Sequence, residues 1–276
     1  MNEQALKHRI LEISKERNVN FQTVLTKLAE ERFLARVSMS TVKKHLILKG
    51  GNLLYNQLNT QRKTVDIDFS LKNIKSDPAL ITELIEKIVK IDLDDGFMFS
   101  NVVGERLDHH RMEEPGMRFK ITYSIGKMKN KIQVDLAIGD IIEPISIKYH
   151  PMKYKGNSIY PGEITLLAYS LEFQCAEKLQ IIMGLGEATS RMRDFYDVLI
   201  IFRSQKLHEK KFKKILEEVF KKRYTELKES ISYSSEGFEN MQNAWTSFHR
   251  KQKLSNFDLN FKEVISEINS YLKKVI

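Results

Sequence analysis

The stretch LILKGGNLLYNQLNTQRKTVDIDFSLK, residues 46–72, decides the fold, because it joins two apolar strand patterns through a glycine turn and a short helix pattern. The first apolar run predicts a buried strand, and Gly50 and Gly51 after it predict a tight turn. NLLYNQL then has the spacing of a short helix, and VDIDFSL returns to strand character. The stretch therefore predicts a strand, a helix start and a second strand in close succession.

Two carboxylates lie inside the second strand pattern. Residues i and i+2 of a strand point to the same side, so Asp66 and Asp68 are predicted to project together while Val65, Ile67 and Phe69 enter the core. Such a pair repels itself unless a cation lies between the two groups, and Mg²⁺ prefers carboxylates together with substrate phosphate oxygens. The pattern favours a Mg²⁺ site, although strand-end aspartates in solvent show the same spacing.

The residues around this pair carry groups that bind phosphate. Gly50 and Gly51 open the helix that begins near Asn52, and backbone amides at a helix start can hold phosphate without side-chain obstruction. Arg62 and Thr64 lead into the second strand and can supply a guanidinium fork and a hydroxyl to the same anion. The neighbourhood therefore strengthens the prediction of a metal and phosphate site.

The rest of the chain predicts a mixed α and β protein. A helical layer with Asn20 as N-cap comes first, and strand-like runs follow at GFMFSNVV, MRFKITYSI and KIQVDLAI, the last two joined by a hairpin signal. From Gly162 the pattern changes to helices, beginning with EITLLAYSLEFQCAEKLQIIMGL. We predict an α+β fold, with a mixed sheet flanked by helices in residues 1–161 and a helical domain in residues 162–276.

Composition excludes several classes of protein. The 276 residues are 42% hydrophobic and 29% charged, with charges along the whole length, which predicts a globular chain. No apolar run approaches the roughly 20 residues that cross a bilayer, and the charged start is unlike a signal peptide, so we expect a cytoplasmic protein with no membrane partner. Cys175 is expected to be an ordinary buried residue. His109 and His110 would diverge on a strand, which favours a loop over a metal site.

The charge balance favours polyanionic partners. The chain has 45 Lys and Arg against 36 Asp and Glu, a formal charge of +9, and residues 205–224 carry eight Lys and Arg against three Glu. The apolar residues of this segment have helical spacing: Phe212, Ile215, Leu216, Val219 and Phe220. The segment predicts a helix with a basic outer side, which fits a solvated surface, an RNA-binding surface or a site for an acidic protein.

Three more charged residues interrupt apolar or helical segments. Beside the VDIDF strand, Asp135 would complete the metal site or accept a proton from an attacking hydroxyl; at a strand end it would cap a loop. Lys178 lies in an otherwise apolar helix, where it either extends to solvent or meets an anion. Asp197 follows Arg193 by four residues, the spacing of an ordinary helix salt bridge.

Five segments in a fixed order are more specific than any one of them: LILKGGNLL, RKTVDIDF, VDLAIGD, AEKLQIIMGLG and SRMRDFYDVLII. With LAEERFLARVSMS ahead of them, they resemble the successive motifs of the AbiEii/AbiGii toxin family. The resemblance covers roughly residues 1–205. It implies a nucleotidyltransferase-like mixed sheet core.

The resemblance also implies roles for particular residues. The family's glycine turn and paired aspartates bind metal and nucleoside triphosphate, and they match Gly50, Gly51, Asp66 and Asp68. The family's helical lysine and aspartate match Lys178 and Asp197. Asp66 and Asp68 would hold Mg²⁺, and Lys178 and Arg62 would neutralise triphosphate charge. Asp197 or Asp135 would position or deprotonate the acceptor hydroxyl, with Asp135 the position where the family pattern is loosest.

The implied activity is transfer of a nucleoside monophosphate from a triphosphate to an acceptor. In some members of the family the acceptor is the 3′ end of tRNA, and a cognate antitoxin restrains the toxin. Two other functions fit the residues: a nucleotidyltransferase that modifies a small molecule, and a catalytically silent protein that binds nucleotide or RNA. Retention of Asp66, Asp68 and Lys178 favours an enzyme over the silent protein.

Overall fold

A computed structural model describes residues 3–60, 62–107, 116–138, 143–254 and 257–276. His109 and His110, for which a loop is predicted, lie outside these residues. The described elements, in chain order, are α1 (Glu3–Glu16), α2 (Phe21–Met39), β1 (Leu46–Lys49), α3 (Gly50–Leu58), β2 (Asp66–Leu71), α4 (Pro78–Val89), β3 (Phe97–Leu107), β4 (Gly116–Ile125), β5 (Met128–Ala137), β6 (Ile145–Tyr149), β7 (Lys153–Tyr154), β8 (Asn157–Ser158), β9 (Ile164–Ala168), α5 (Leu171–Leu185), α6 (Met192–Arg203), α7 (Glu209–Lys222), α8 (Ser235–Gln252) and α9 (Phe261–Val275).

The chain divides into two compact units. The first unit contains Met1–Asn56 and Thr64–Tyr169, and the second contains Gln57–Lys63 and Ser170–Ile276. The strands lie in the first unit and the helices α5 to α9 in the second, which confirms the predicted α+β class with a helical C-terminal half. The predicted domains, residues 1–161 and 162–276, stay a prediction, because compactness does not test whether a segment folds alone.

A seven-stranded mixed sheet forms the core of the first unit, in the order β3-β4-β5-β2-β1-β9-β6. The central strand β2 pairs antiparallel with β1 and parallel with β5, while β3, β4 and β5 form an antiparallel meander. Ile67 and Phe69 of β2 are fully buried, as the alternation predicts. Val65 is 70% exposed, so its predicted place in the core is wrong; it precedes β2 and makes no ladder pairing there.

One predicted helix is partly wrong. Residues 164–168, ITLLA, form β9, which pairs in parallel with β1 and antiparallel with β6. The helix α5 begins only after Ser170, whose side chain accepts a hydrogen bond from the backbone N–H of Phe173. A short apolar run has no period that separates a buried strand from a buried helix, so this boundary could be found only from the N-cap signal of Ser170.

The helix α2 is the most buried helix-forming segment of the first unit. Asn20 caps it as predicted, accepting a hydrogen bond from the N–H of Thr23. Its buried side chains include four charged ones: Glu30, Glu31, Arg32 and Arg36. Both arginines donate to Asp95, at 2.7 to 3.0 Å, and they hold the pKa of that carboxyl below its usual value although burial alone would raise it. Helical periodicity cannot reveal such burial, because α2 is packed on nearly every side.

Glu31 carries a buried carboxylate with an incomplete set of partners. One oxygen accepts a hydrogen bond from the N–H of Met152, and the other has no hydrogen-bond partner among the residues that the structure describes. Burial raises the pKa of Glu31 to about 7, and the Met152 N–H and Arg32 offset only part of this rise. Because the folded pKa lies above the unfolded value, ionisation of Glu31 opposes folding as pH rises from about 4.5 to about 7.

Glu31→Gln is therefore expected to stabilise the protein at high pH. The amide oxygen of Gln can still accept the Met152 N–H, and no charge has to be buried. We expect a rise in unfolding free energy of about 3 kcal/mol at pH 8 and under about 1 kcal/mol at pH 5. Denaturant unfolding at both pH values measures this difference, with the exposed Glu16→Gln as the matched control. A Glu31→Gln protein whose stability follows that of the parent at both pH values would contradict it.

The second unit is a helical assembly with an aromatic core. Phe195 of α6 lies edge to face with Phe261 of α9, at 5.1 Å between ring centroids. The helix α7 buries Phe212, Leu216, Val219 and Phe220, which confirms the predicted amphipathic helix in residues 205–224. Cys175 is buried as expected, and burial raises the pKa of its thiol. Within the described residues, no helix has the length and apolar character that crossing a bilayer requires.

Candidate active site

Three carboxylates meet on one face of the sheet in the first unit. The parallel pairing of β2 with β5 places Asp68 opposite Asp135 and Asp66 opposite Gln133. Asp66, Asp68 and Asp135 each have an oxygen atom, and these three atoms all lie within 4.8 Å of one another. We call these residues the carboxylate cluster. Asp135 thus lies beside the aspartate pair, the position on which its predicted role depends.

Two neighbours orient the carboxylate cluster. Arg118 of β4 donates to both oxygens of Asp135, from Nε at 2.9 Å and from Nη2 at 2.7 Å, and this bonding raises the pKa of the guanidinium. The hydroxyl of Thr64 donates to Asp66 at 3.0 Å. Lys49 of β1 lies opposite Asp68 in the ladder with β2, so three carboxylates against one guanidinium and one ammonium leave a local formal charge of −1. An all-oxygen donor set with this charge fits a hard divalent cation.

Gly50 brings the start of α3 against the carboxylate cluster. Its φ of +71° lies in the left-handed region, and a Cβ atom at this position would lie 2.0 Å from a carboxylate oxygen of Asp68. Any side chain would therefore be strained twice, by backbone conformation and by the close approach of Asp68. The predicted glycine turn is the first turn of α3, with Gly51 buried behind it.

A buried polar network, which sequence patterns barely indicate, supports the same helix start. Glu30 of α2 accepts hydrogen bonds through one oxygen from Lys27, at 2.7 Å, and from Asn52 of α3, at 2.9 Å. The amide oxygen of Asn52 accepts from the hydroxyl of Tyr149 at 3.0 Å. Burial raises the pKa of Glu30, and the charge of Asp66 adds to this rise. The only signal was a pair of consecutive acids within an apolar helical pattern.

The remaining predicted residues form a second cluster, in the second unit. Arg62 donates to both oxygens of Asp197, at 2.5 and 2.8 Å, and Asp197 has no exposed surface. The Lys178 ammonium lies 2.7 Å from Asp197 and 2.8 Å from Asp194. Arg191 donates to Asp194 at 2.6 Å. We call these five residues, of which only Arg191 is exposed, the buried ion cluster; its three cations and two carboxylates leave a formal charge of +1.

The contacts of this cluster settle two of the open alternatives. Lys178 meets anions rather than solvent, and they are the carboxylates of its own unit. Burial alone would lower the pKa of Lys178, but Asp194 and Asp197 reverse the effect and raise it. The i, i+4 salt bridge suggested for Arg193 and Asp197 is wrong, because Arg193 is exposed while Asp197 is buried against Arg62 and Lys178.

The predicted residues therefore fall into two groups. Gly50, Gly51, Thr64, Asp66, Asp68 and Asp135 belong to the first unit, and Arg62, Lys178 and Asp197 belong to the second. Two residues that hold members of these groups were not predicted: Arg118, which bonds Asp135 in the first group, and Asp194, which bonds Lys178 in the second. Asp194 lies three residues before Asp197 on α6, so helical spacing was the available signal for it.

A mixed sheet that carries paired aspartates beside a glycine-opened helix is the arrangement of a nucleotidyltransferase. The model of the AbiEii nucleotidyl transferase toxin family, a type IV toxin–antitoxin system, matches residues 32–267, and the chain belongs to this family. The resemblance recognised in the sequence is confirmed. Membership makes the chain a nucleotidyltransferase toxin and implies a nucleotide substrate and an antitoxin partner.

Two solved structures share the fold at low sequence identity. The MenT4 nucleotidyltransferase toxin of Mycobacterium tuberculosis is 16% identical, with a TM-score of 0.56 over 96% of this chain and 98% of that one. JHP933 from Helicobacter pylori is 14% identical, with a TM-score of 0.52 over 90% of this chain and 92% of that one. Comparison with curated protein sequences gives no match.

Proposed function

We propose that the chain transfers a nucleoside monophosphate from a nucleoside triphosphate to the 3′ end of a tRNA, with Mg²⁺ as cofactor, in the cytoplasm and under restraint by a cognate antitoxin. The observation that carries the proposal is the carboxylate cluster, whose three oxygen atoms lie within 4.8 Å of one another. Membership of the AbiEii family supports the nucleotide substrate and the antitoxin.

In this proposal Asp66 and Asp68 hold the cation, with Asp135 as a third carboxylate. When bound, Mg²⁺ would draw charge from the triphosphate oxygens and favour departure of pyrophosphate. The three carboxylate oxygens within 4.8 Å of one another support a hard divalent ion. Thr64 fixes the rotamer of Asp66 through its hydrogen bond.

Triphosphate binding is assigned to the start of α3, and Lys178 and Arg62 keep the charge-neutralising role that the family resemblance implies for them. The missing side chains of Gly50 and Gly51 allow a phosphate to approach the first N–H groups of α3. Lys178 remains protonated because of Asp194 and Asp197, and the surplus charge of its cluster would offset triphosphate charge. Arg62, predicted to bind phosphate directly, is assigned to that same positive cluster through its bond to Asp197.

The acceptor hydroxyl is assigned to Asp135. The oxygen of the acceptor hydroxyl attacks the α-phosphorus, and the new P–O bond replaces the bond between the α-phosphorus and the bridging oxygen of the β-phosphate. Pyrophosphate leaves, and the proton of the acceptor hydroxyl passes to the Asp135 carboxylate. Both aspartates bond cations through both oxygens, but the Asp135 side chain is 16% exposed on the sheet face, whereas Asp197 has no exposed surface. We therefore assign Asp197, which was predicted as catalytic, to positioning Lys178 and Arg62.

The proposed function is tested by measuring which molecule receives the labelled nucleoside monophosphate. The protein is incubated with Mg²⁺, each α-labelled nucleoside triphosphate and total cellular RNA, and the RNA is resolved by size. We expect label in a tRNA-sized band that 3′-end oxidation of the RNA abolishes. Label in a small molecule would support the nucleotidyltransferase that modifies a small molecule, and nucleotide binding without transfer would support the catalytically silent protein. Either outcome would overturn the tRNA proposal.

A further inference from the structure

The carboxylate cluster continues into an open face of the sheet that its proposed chemistry does not use. Along β4 and β5 alternate residues enter the core, and those between them stay on the other side. The ladder places Arg118 beside Asp135 and Lys120 beside Gln133, in the rows that contain Asp68 and Asp66. Lys131 and Lys129 occupy the next two positions of β5 on the same side. We call this surface the open sheet face.

Positive charge on the open sheet face grows with distance from the carboxylates. Arg118 is paired with Asp135, and Lys120 lies 3.6 Å from Glu105 of β3. Lys129 and Lys131 are exposed, and neither has a carboxylate partner within the part of the chain that the structure describes. A polyanion that approaches the carboxylate cluster therefore finds its uncompensated cations toward the hairpin between β4 and β5.

A hollow lies beside these two lysines. Its volume is about 300 Å³, and its lining is Asn101, Val103, Thr122, Lys129, Asn130 and Lys131. A β-bulge between Ser100 and Val102 interrupts the ladder of the edge strand β3 at this point. Val103 is 59% exposed beside it. The hollow thus offers an apolar surface, amide groups and two ammonium groups together, which can contact the face and polar edge of a nucleobase and its phosphates.

The distance from the hollow to the carboxylates suits a few nucleotides. Lys131 precedes Asp135 by four residues on β5, which is about 13 Å along the strand. Stacked nucleotides advance about 3.4 Å each, so about four of them, or fewer in an extended strand, cover this length. A chain end at Asp135 would bring the preceding phosphates to Lys131 and Lys129.

We propose that the open sheet face binds the single-stranded 3′ end of the acceptor RNA, with phosphates on Lys129 and Lys131 and a base against Val103. The proposal rests on the proposed nucleotide transfer and adds the surface that directs the acceptor. It replaces α7 as the first candidate for RNA contact, because two of the α7 lysines already have partners. Lys213 donates to the carbonyl oxygen of Ile276, and Lys214 lies 3.9 Å from Glu218.

Equilibrium binding of a short fluorescent single-stranded RNA with a free 3′ hydroxyl tests this surface. We expect Lys129→Gln with Lys131→Gln to weaken binding at least about tenfold and to lower the slope of log K against log salt by about 1.4, which corresponds to two phosphate contacts. Val103→Thr keeps the side-chain shape and should weaken binding without changing that slope. Lys87→Gln with Lys90→Gln, on the exposed side of α4, removes the same charge and should have no effect.

Several outcomes would overturn the proposal. The proposal is overturned if the variant with Lys129 and Lys131 changed to Gln binds RNA as tightly as the α4 control variant. A loss confined to an α7 variant, with Lys213, Lys214, Lys221 and Lys222 changed to Gln, would move the RNA to that helix. If the Lys129 and Lys131 variant loses affinity for polyglutamate but keeps its affinity for RNA, the surface fits an acidic protein instead.

Transfer assays separate this proposal from the proposed function. If the parent binds RNA through the open sheet face yet transfers no nucleotide, the proposed function fails and the surface stands. If transfer by the Lys129 and Lys131 variant keeps the RNA KM of the parent, the surface fails and the function stands. Support for both requires an RNA KM raised about as much as the dissociation constant, with the triphosphate KM unchanged.

Discussion

Replacement of Asp66 or Asp68 by Asn is expected to abolish Mg²⁺-dependent triphosphate binding and to slow nucleotide transfer by at least about 10²- to 10³-fold, with the fold intact. Both residues belong to a cluster of three carboxylates that lie within 4.8 Å of one another. Removing one charge relieves repulsion in the metal-free protein, so its unfolding free energy should stay the same or rise. Stability and activity are therefore expected to change in opposite directions.

Thermal unfolding with and without Mg²⁺·triphosphate measures the first part of this prediction. A ligand that binds the folded state alone raises the unfolding free energy, so the parent should melt at a higher temperature with the ligand and the two variants should not. The exposed Asp258→Asn makes the same charge change and serves as the control. A variant at position 66 or 68 that binds Mg²⁺·triphosphate as tightly as the parent would remove these residues from the metal site.

Asp135→Asn is a separate case because its carboxylate is bonded to Arg118. An amide loses one of the two charge-assisted hydrogen bonds, at 2.9 and 2.7 Å, and leaves the guanidinium partly unpaired. We therefore do not expect the gain in stability that the other two positions give. This contrast separates the effect of repulsion among the carboxylates from the loss of a bidentate bond to Arg118.

The parts of this fold that could be predicted from the sequence are those that depend on residues close together along the chain. The β1–α3–β2 segment follows from local signals: an apolar run, two glycines, and an alternation that places Asp66 and Asp68 on one side. The proximity of Asp135 to Asp66 and Asp68 depends on parallel pairing of β2 with β5, strands more than 50 residues apart. From the sequence, this proximity could be predicted only if the two strands were assumed to be neighbours.

Long-range ion pairs could not be predicted from the sequence for the same reason, because they join residues that are far apart along the chain. Asp197 has a suitable arginine four residues before it, and local spacing selects that residue. The structure selects Arg62, which is 135 positions away, because Asp197 faces the interior of its unit where Arg193 does not reach. Burial decides between the two partners, and helical spacing does not report burial. Glu30 was overlooked on the same ground, since α2 is covered on nearly all sides.

Lys178→Met is expected to have the second large effect, on stability as well as on transfer. A lysine that only extends to solvent can become Met at small cost, but Lys178 lies between the carboxylates of Asp194 and Asp197 and is only 13% exposed. Removing one partner of a buried ion pair costs about 3 to 5 kcal/mol, because the other charge stays buried. Lost activity in this variant alone would therefore not prove that Lys178 contacts the triphosphate.

A second variant separates the two roles of Lys178. Lys178→Met with Asp194→Asn removes one charge of each sign and keeps the two hydrogen bonds between Arg62 and Asp197. Most of the lost unfolding free energy should return, since the one carboxylate that remains, Asp197, keeps both of its hydrogen bonds from Arg62. Transfer should remain about 10²- to 10³-fold below the parent if the ammonium offsets charge on the departing pyrophosphate.

Unfolding free energy, transfer rate and growth inhibition in cells should be measured on the parent and both variants. If transfer returns together with stability in the double variant, Lys178 acts only through folding, and the role implied by its family is wrong at this position. If transfer stays low while growth inhibition persists, the protein acts by occupying nucleotide or RNA, and the enzymatic proposal fails. Loss of transfer and growth inhibition in a stable double variant would trace the defect to the Lys178–Asp194 pair, provided that Asp194→Asn alone keeps its activity, because the fold, the Arg62–Asp197 pair and the carboxylate cluster are the same as in the parent.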